Sequence, residues 1–195
     1  MNRQLFLFGL FFISTALNAQ VPARKLDTTM KVGKAGYRLS CFNKSAERNS
    51  VTISPIGFEK DVREFSFEVK GRITKGEVDD VNRDGYPDLV FYVFSGDSLP
   101  RGSVVALTSE KNEGINSIAF PDIFDDPKLR VGYKGNDEFT LMEGNLVRRF
   151  PVYPPDSLKA TAKGIMYRQV QYMVVPGDRG GSRFKPLRSY EFTKQ

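Results

Sequence analysis

The chain has 195 residues, of which 40% are hydrophobic, and its formal net charge is +6. This length supports one domain with a sizeable core and is too short for two comfortable ones. The sequence has no histidine and a single cysteine, Cys41, which excludes histidine-dependent nucleophiles, histidine-rich zinc sites and an intramolecular disulfide.

Residues 1–19 have the pattern of a secretory signal peptide, with a basic start at Arg3, an apolar run and a small residue at Ala19. The apolar run is too short for an ordinary transmembrane helix and no second one follows, so we expect no transmembrane anchor. A periplasmic or secreted location is therefore predicted. Residues 20–34 are polar and lack a convincing period, which predicts a flexible lead-in to a domain that occupies residues 35–195.

Strand patterns dominate this domain. Phe65, Phe67 and Val69 alternate with polar residues, as expected for a strand with one face in the core. Residues 89–94 are all apolar and predict a central strand that is buried on both faces. The other predicted strands are 37–42, 51–56, 104–107, 117–120, 139–142, 146–150, 167–175 and 183–192.

Short turns separate these strands, and the clearest is the hairpin turn predicted at residues 143–145. Many short strands with little helical periodicity indicate an all-β fold, a single antiparallel β-sandwich or barrel-like domain. Cys41 lies in the first of these strands, where a buried small hydrophobic role is expected. A reactive thiol is one alternative, and a disulfide that joins a homodimer is another.

An acidic loop precedes the predicted central strand. Its oxygens recur at every second position, so they could converge on one calcium ion. The candidate ligands are the side chains of Asp80, Asn82, Asp84 and Asp88 and the carbonyl of Tyr86. The bidentate glutamate that closes an EF-hand loop is missing, because Phe91 stands at the twelfth position. Calcium is thus the candidate cofactor, and the alternative is a polar turn that only leads into the strand.

Carboxylate pairs are the acid/base option that remains without histidine. The adjacent pairs are 79–80, 125–126 and 137–138, but neighbours on a strand point to opposite faces. We therefore interpret them as loop charges and predict that the protein is not an enzyme.

Positive charge is concentrated in the last part of the chain. From Arg148 to the end there are ten lysines and arginines against three acidic residues. A solvated basic face is one interpretation, and a surface for an anionic polymer or lipid is the other, with no nucleic acid expected. The candidate residues of that surface are Arg179, Arg183, Lys185 and Arg188.

Four segments resemble the periplasmic inhibitors of invertebrate-type (I-type) lysozyme, and they occur in the order of that family. The segments are 76–88, 132–139, 145–153 and 168–172. The resemblance implies a β-sandwich-like protein whose partner is an I-type lysozyme, and a loop that protrudes after the central strand to block the enzyme's cleft.

In that family the protruding loop carries a Ser-Gly pair followed shortly by an aromatic residue. Ser95 and Gly96 match the pair, but no aromatic residue lies between positions 97 and 107, and Leu99 is the candidate replacement. A serine hydroxyl can hydrogen-bond a catalytic carboxylate, and glycine lets the backbone enter a narrow cleft. Arg148 and Arg149 also match the family, and at least one is expected to pair with a carboxylate at position 137 or 138.

Two alternatives to an inhibitor stay open at this point. One is an exported calcium-stabilised β domain with another partner. The other is an envelope-binding protein that docks through its basic C-terminal third.

Overall fold

The computed structural model describes residues 24–96, 98–153, 165–178 and 180–194. The signal peptide predicted at residues 1–19 lies outside these ranges. Within them the chain is nearly all β, and a short 3-10 helix spans Ile123–Asp125. No helix in the described ranges is long and apolar enough to cross a membrane.

The first sheet is an antiparallel meander of four strands in chain order. Its strands are β1 (Leu26–Val32), β2 (Ala35–Cys41), β3 (Asn49–Ile56) and β4 (Phe65–Val69).

Strand β1 corrects the flexible lead-in that the sequence predicted over residues 20–34. Leu26 pairs with Cys41, and the ladder continues to Val32 opposite Ala35. The inward positions of β1 include threonine and methionine among charged neighbours, so the alternation was too weak to recognise. The folded domain therefore begins before residue 35.

The second sheet has eight strands in the order β5-β6-β7-β8-β12-β11-β10-β9. Its strands are β5 (Arg72–Asp79), β6 (Asp88–Ser95), β7 (Arg101–Glu110), β8 (Gly114–Ala119), β9 (Glu138–Met142), β10 (Asn145–Pro151), β11 (Ile165–Pro176) and β12 (Ser182–Lys194). All its pairings are antiparallel except a short parallel contact of β12 with β8. The sequence predicted all of these strands but β5, which a register shift interrupts between Ile73 and Lys75.

The large sheet curls so that its two edge strands approach each other. The N–H of Leu141 in β9 donates to Glu77 of β5 at 3.4 Å, and the N–H of Gly144 donates to Asp79 at 3.1 Å. The turn that presents Gly144 has positive φ at Glu143 and Gly144, as a tight hairpin turn requires, so the predicted hairpin is confirmed. The nearly closed sheet and the meander together confirm the predicted all-β sandwich or barrel-like fold.

Strand β6 joins two hydrophobic cores. Val90 and Tyr92 face the interior of the curled sheet, while Leu89, Phe91 and Val93 face the four-stranded meander. This confirms the prediction of a central strand buried on both faces. Because β6 is packed on both sides, the loops at its two ends are held by a rigid scaffold, and both candidate sites lie there.

Cys41 lies in the core shared with the meander and is 2% exposed. Its thiol contacts Asn43, and burial raises the pKa of the thiol. The buried hydrophobic role is therefore confirmed, and a disulfide with a second chain would require this part of the sheet to open.

Candidate functional site: the loop after the central strand

The β6–β7 loop connects two fully paired strands. Ser95 pairs with Arg101, so the connection itself comprises residues 96–100, of which Asp97 is outside the described ranges. Gly96 has φ +84°, a conformation that a residue with a Cβ adopts only with strain. Leu99 is 43% exposed, and the Ser95 hydroxyl makes no hydrogen bond to another described residue. The sequence-predicted residues Ser95, Gly96 and Leu99 therefore lie together at one end of the sheet.

A second turn clamps the far side of the loop. The N–H of Asn136 donates to the Pro100 carbonyl at 2.8 Å. A Cβ on Gly135 would lie 2.7 Å from the Leu99 carbonyl oxygen and 2.9 Å from that of Pro100. Only glycine at position 135 permits this approach, so the two backbones hold each other in place.

A buried ion pair lies beneath the foot of the loop. Arg148 Nε donates to Asp137 Oδ1 at 2.7 Å, and both side chains are almost wholly enclosed. Asp137 Oδ2 accepts from the Gly102 N–H at 2.6 Å and from the Tyr133 hydroxyl at 2.5 Å. Arg148 Nη2 in turn donates to the Tyr133 oxygen at 3.0 Å and to the Gly102 carbonyl at 3.3 Å.

Aromatic rings enclose this ion pair. The Arg148 guanidinium lies 5.1–5.9 Å from the ring centres of Phe120, Tyr133, Phe139 and Phe150. Such contacts favour a desolvated cation. Burial is the main cause that raises the pKa of Tyr133, and the nearby Asp137 carboxylate raises it further. The Tyr133 hydroxyl therefore stays a neutral donor. All buried polar side-chain atoms of the described residues have a hydrogen-bond partner.

The expectation that at least one of the two arginines pairs with a carboxylate at position 137 or 138 is confirmed. Arg148 binds Asp137 in the core, and Arg149 lies 3.7 Å from Glu138 on the surface. Adjacent residues thus face opposite sides of the sheet, as the strand period requires, and the 137–138 doublet is not an acid/base pair.

Sequence reasoning missed an aromatic side chain beside the loop. Phe124, in the 3-10 helix, is 42% exposed, and the Arg101 guanidinium lies 5.2 Å from its ring centre. Its ring also meets Tyr133 edge to face at 5.7 Å. No local pattern links Phe124 to Arg101, because their proximity arises only when the segment after β8 folds over the end of β7.

The opposite end of β6 begins in the acidic loop. Asp88 is fully buried and accepts from the N–H groups of Val81, Asn82 and Ser109 at 3.1, 3.2 and 3.0 Å. Burial raises the pKa of the Asp88 carboxyl to about 6, although the Ser109 and Asn82 N–H groups favour its charged form. Asp88 therefore fastens the loop to both β6 and β7.

The other acidic-loop side chains also bind backbone N–H groups. Asp80 accepts from Asp84 at 3.0 Å and from Gly85 at 2.9 Å, while Asn82 accepts from Asp84 at 3.1 Å. Asp84 accepts from the Tyr86 N–H at 2.9 Å. Bonds from side-chain oxygens to nearby backbone N–H groups are what we expect if the loop is only a polar turn that leads into β6. Among the described residues no group of three or more Asp, Glu or Cys side chains is arranged to hold a metal ion, so calcium binding here stays a prediction.

The predicted basic surface lies on β12. Arg183, Lys185 and Arg188 are all exposed, and Arg179 is outside the described ranges. Arg183 donates to Asp178 at 3.2 Å, and Arg188 Nε donates to Gln171 at 2.6 Å. These side chains point away from the core that encloses Arg148.

Comparison of the chain with protein-family models, with curated proteins and with solved structures gives no match.

Removal of the Asp137 carboxylate is expected to destabilise the fold strongly. Asp137→Ala leaves Arg148 charged and buried, which costs about 3–5 kcal/mol of unfolding free energy. Glu138→Ala is the matched control, since it removes an exposed partner of Arg149 and should cost less than about 1 kcal/mol. Urea denaturation measures both, and equal losses would contradict a central role for the buried pair.

The two interpretations of the acidic loop differ in their response to calcium. A bound ion stabilises the folded state by mass action, so the unfolding temperature should be higher in about millimolar calcium than in EDTA. Asp84→Ala should abolish that difference. Identical melting curves of the parent protein in both buffers would leave only the polar turn.

Stability should depend on pH through Asp88. Its folded pKa of about 6 exceeds the unfolded value of about 4, so its stabilising contribution is fully present below pH 4 and is lost as pH rises through 6. Asp88→Asn does not titrate. In EDTA, the unfolding free energy of the parent minus that of the variant should therefore fall by about 1 kcal/mol per pH unit across this window. A difference that stays constant would contradict the raised pKa.

Proposed function

We propose that this protein is exported and inhibits a lysozyme of the invertebrate type by inserting the β6–β7 loop into the enzyme's substrate cleft. The observation that carries the proposal is spatial. The segments 132–139 and 145–153, which resemble the inhibitor family, are far from the loop in sequence but meet at its foot through Asp137, Arg148 and Gly102.

The chemistry of the loop suits a carboxylate-lined cleft. Glycosidases of this kind use two acidic side chains, and a serine hydroxyl such as that of Ser95 can donate to one of them. Gly96 has no side chain, so the loop is narrow next to Ser95. Arg101, held against Phe124, adds a positive charge beside the loop that complements an acidic cleft.

Apolar contact would come from two segments together. Leu99 and Phe124 are both about two-fifths exposed and stand near the same end of the sheet. Burial of such side chains in a partner's cleft contributes about 1.5–3 kcal/mol each. In this proposal the Phe124 ring makes the contact with the lysozyme that an aromatic residue within the loop makes in the inhibitor family.

Rigidity favours binding by this loop. The clamp at Gly135 and Asn136 and the buried pair beneath Gly102 hold the loop before any partner arrives. Little conformational entropy is then lost on association, so more of the contact energy appears as affinity.

The inhibition constant against a purified I-type lysozyme tests this proposal. We expect the parent to inhibit, and Leu99→Ser and Phe124→Ser each to weaken inhibition by about tenfold or more. Ser95→Ala should also weaken inhibition without changing the unfolding temperature, because its hydroxyl has no bond to another described residue.

Two exposed apolar residues on the meander provide matched controls. Val32→Ser and Phe42→Ser, whose parent side chains are 54% and 60% exposed, should leave inhibition unchanged. Absence of inhibition of any I-type lysozyme by the parent would refute the function. Full potency of the loop variants, with inhibition present, would refute only the loop assignment.

A further inference from the structure

The outward side of β10, β11 and β12 carries a second, unrelated arrangement of side chains. Strand register aligns Arg149 with Gln169 and Tyr190, and it aligns Tyr167 with Phe192. Two residues after Gln169 on β11, Gln171 lies opposite Arg188 of β12. Lys185 lies further along the same side of β12, opposite Met173. We define the outer face as Tyr167, Gln169, Gln171, Lys185, Arg188, Tyr190 and Phe192.

One end of the outer face is aromatic. The rings of Tyr167 and Phe192 stack at 6.0 Å with an interplanar angle of 24°, and Tyr190 lies 6.2 Å from Phe192. The Arg149 guanidinium covers Phe192 at 5.3 Å. Tyr190 is nevertheless 50% exposed, so a flat aromatic surface remains open to a ligand.

Amides occupy the middle of the outer face. Gln169 accepts from Arg149 at 2.8 Å and donates to the Tyr190 hydroxyl, and Gln171 accepts from Arg188 at 2.6 Å. Neutral partners orient the Arg188 side chain without cancelling its charge. Lys185 forms no ion pair with a residue in the described ranges. The end of the outer face that carries Lys185 and Arg188 is therefore positively charged, and Gln171 orients Arg188.

We propose that the outer face binds an acidic polysaccharide. A sugar ring presents C–H groups on its faces and hydroxyls at its rim, which match the exposed ring of Tyr190 and the amides beside it. Carboxylate groups on neighbouring sugars then pair with Lys185 and Arg188. Aromatic and cationic groups follow one another along β12, and the two amides lie beside them on β11, so one extended chain can contact all three.

Charge density favours a polysaccharide over a nucleic acid. Each strand of duplex DNA carries one phosphate per about 3.4 Å of helix axis. The cations on β12 are farther apart. A register shift takes up one residue of β12, so Lys185 and Arg188 lie opposite Met173 and Gln171, which are two residues apart, or roughly 7 Å at the rise of a strand. Arg149 and Arg183, two other cations near this face, already have acidic neighbours. A polymer that carries one carboxylate per sugar ring has more widely spaced charges than a DNA duplex and matches this spacing.

The outer face is independent of the proposed inhibitory loop. Arg148 and Arg168 point inward from β10 and β11, whereas Arg149 and Gln169 point outward from the same strands. Substitutions on the outer face should therefore leave the support of the β6–β7 loop intact, and the two binding activities can be measured separately.

The test compares binding to three polymers: polygalacturonate, its methyl ester and a thymidine oligonucleotide. We expect polygalacturonate to bind best, and the ester, which lacks the charges, to bind at least about tenfold more weakly. Lys185→Gln with Arg188→Gln should weaken binding to polygalacturonate by about tenfold. Tyr190→Ala should weaken it by at least about fivefold.

A control variant that removes two positive charges elsewhere on the protein distinguishes a defined binding site from a general effect of net charge. Lys31→Gln with Lys70→Gln removes two exposed cations, one in β1 and one just after β4, and should leave binding unchanged. Equal loss in both double variants would overturn the proposal, as would absence of binding to polygalacturonate or tighter binding of the oligonucleotide. Unaltered unfolding temperatures and lysozyme inhibition in the outer-face variants would confirm that only this surface has changed.

Discussion

The Arg148–Asp137 ion pair is the interaction on which both the core and the candidate site depend. Removing two charges from water costs several kcal/mol each, and their attraction compensates only when the remaining donors and acceptors are satisfied. Here Tyr133 and the backbone of Gly102 complete the set, and four aromatic rings enclose the cation. The same bonds that satisfy the buried charge also fasten the start of β7, so the position of the adjoining loop follows from the requirement to satisfy a buried arginine.

Strand β6 connects the region around the Arg148–Asp137 ion pair to the rest of the molecule. Its side chains enter two cores, and near each of its ends a buried carboxylate accepts a backbone N–H group of the neighbouring strand β7. Asp88 binds Ser109 of β7 at one end, and Asp137 binds Gly102 of β7 at the other. Asp88 belongs to β6, so its bond to Ser109 holds β6 and β7 in one register, and a shift of that register would remove the Ser109 donor.

Alternation along β10 and β11 separates structural arginines from surface arginines. Arg148 and Arg168 are enclosed, and Arg168 donates to the Leu129 and Val131 carbonyls at 2.7 and 3.1 Å, which orders the segment before Tyr133. Arg149 faces water. The basic composition of the C-terminal third thus overstates its surface charge, because part of that charge stabilises the core and only the outward residues can meet a partner.

The sequence by itself determined the strands whose alternation or apolar runs are strong, the doubly buried β6 and the hairpin turn near Gly144, since these depend on neighbours along the chain. It did not reveal β1 or β5, where threonine, lysine and a register shift weaken the period. Tertiary structure alone placed Phe124 beside Arg101, joined Asp137 to Gly102, and turned Arg148 inward while leaving Arg149 outside. Those contacts join residues far apart in sequence, and only the closure of the sheet decides which distant side chains share one end and one face.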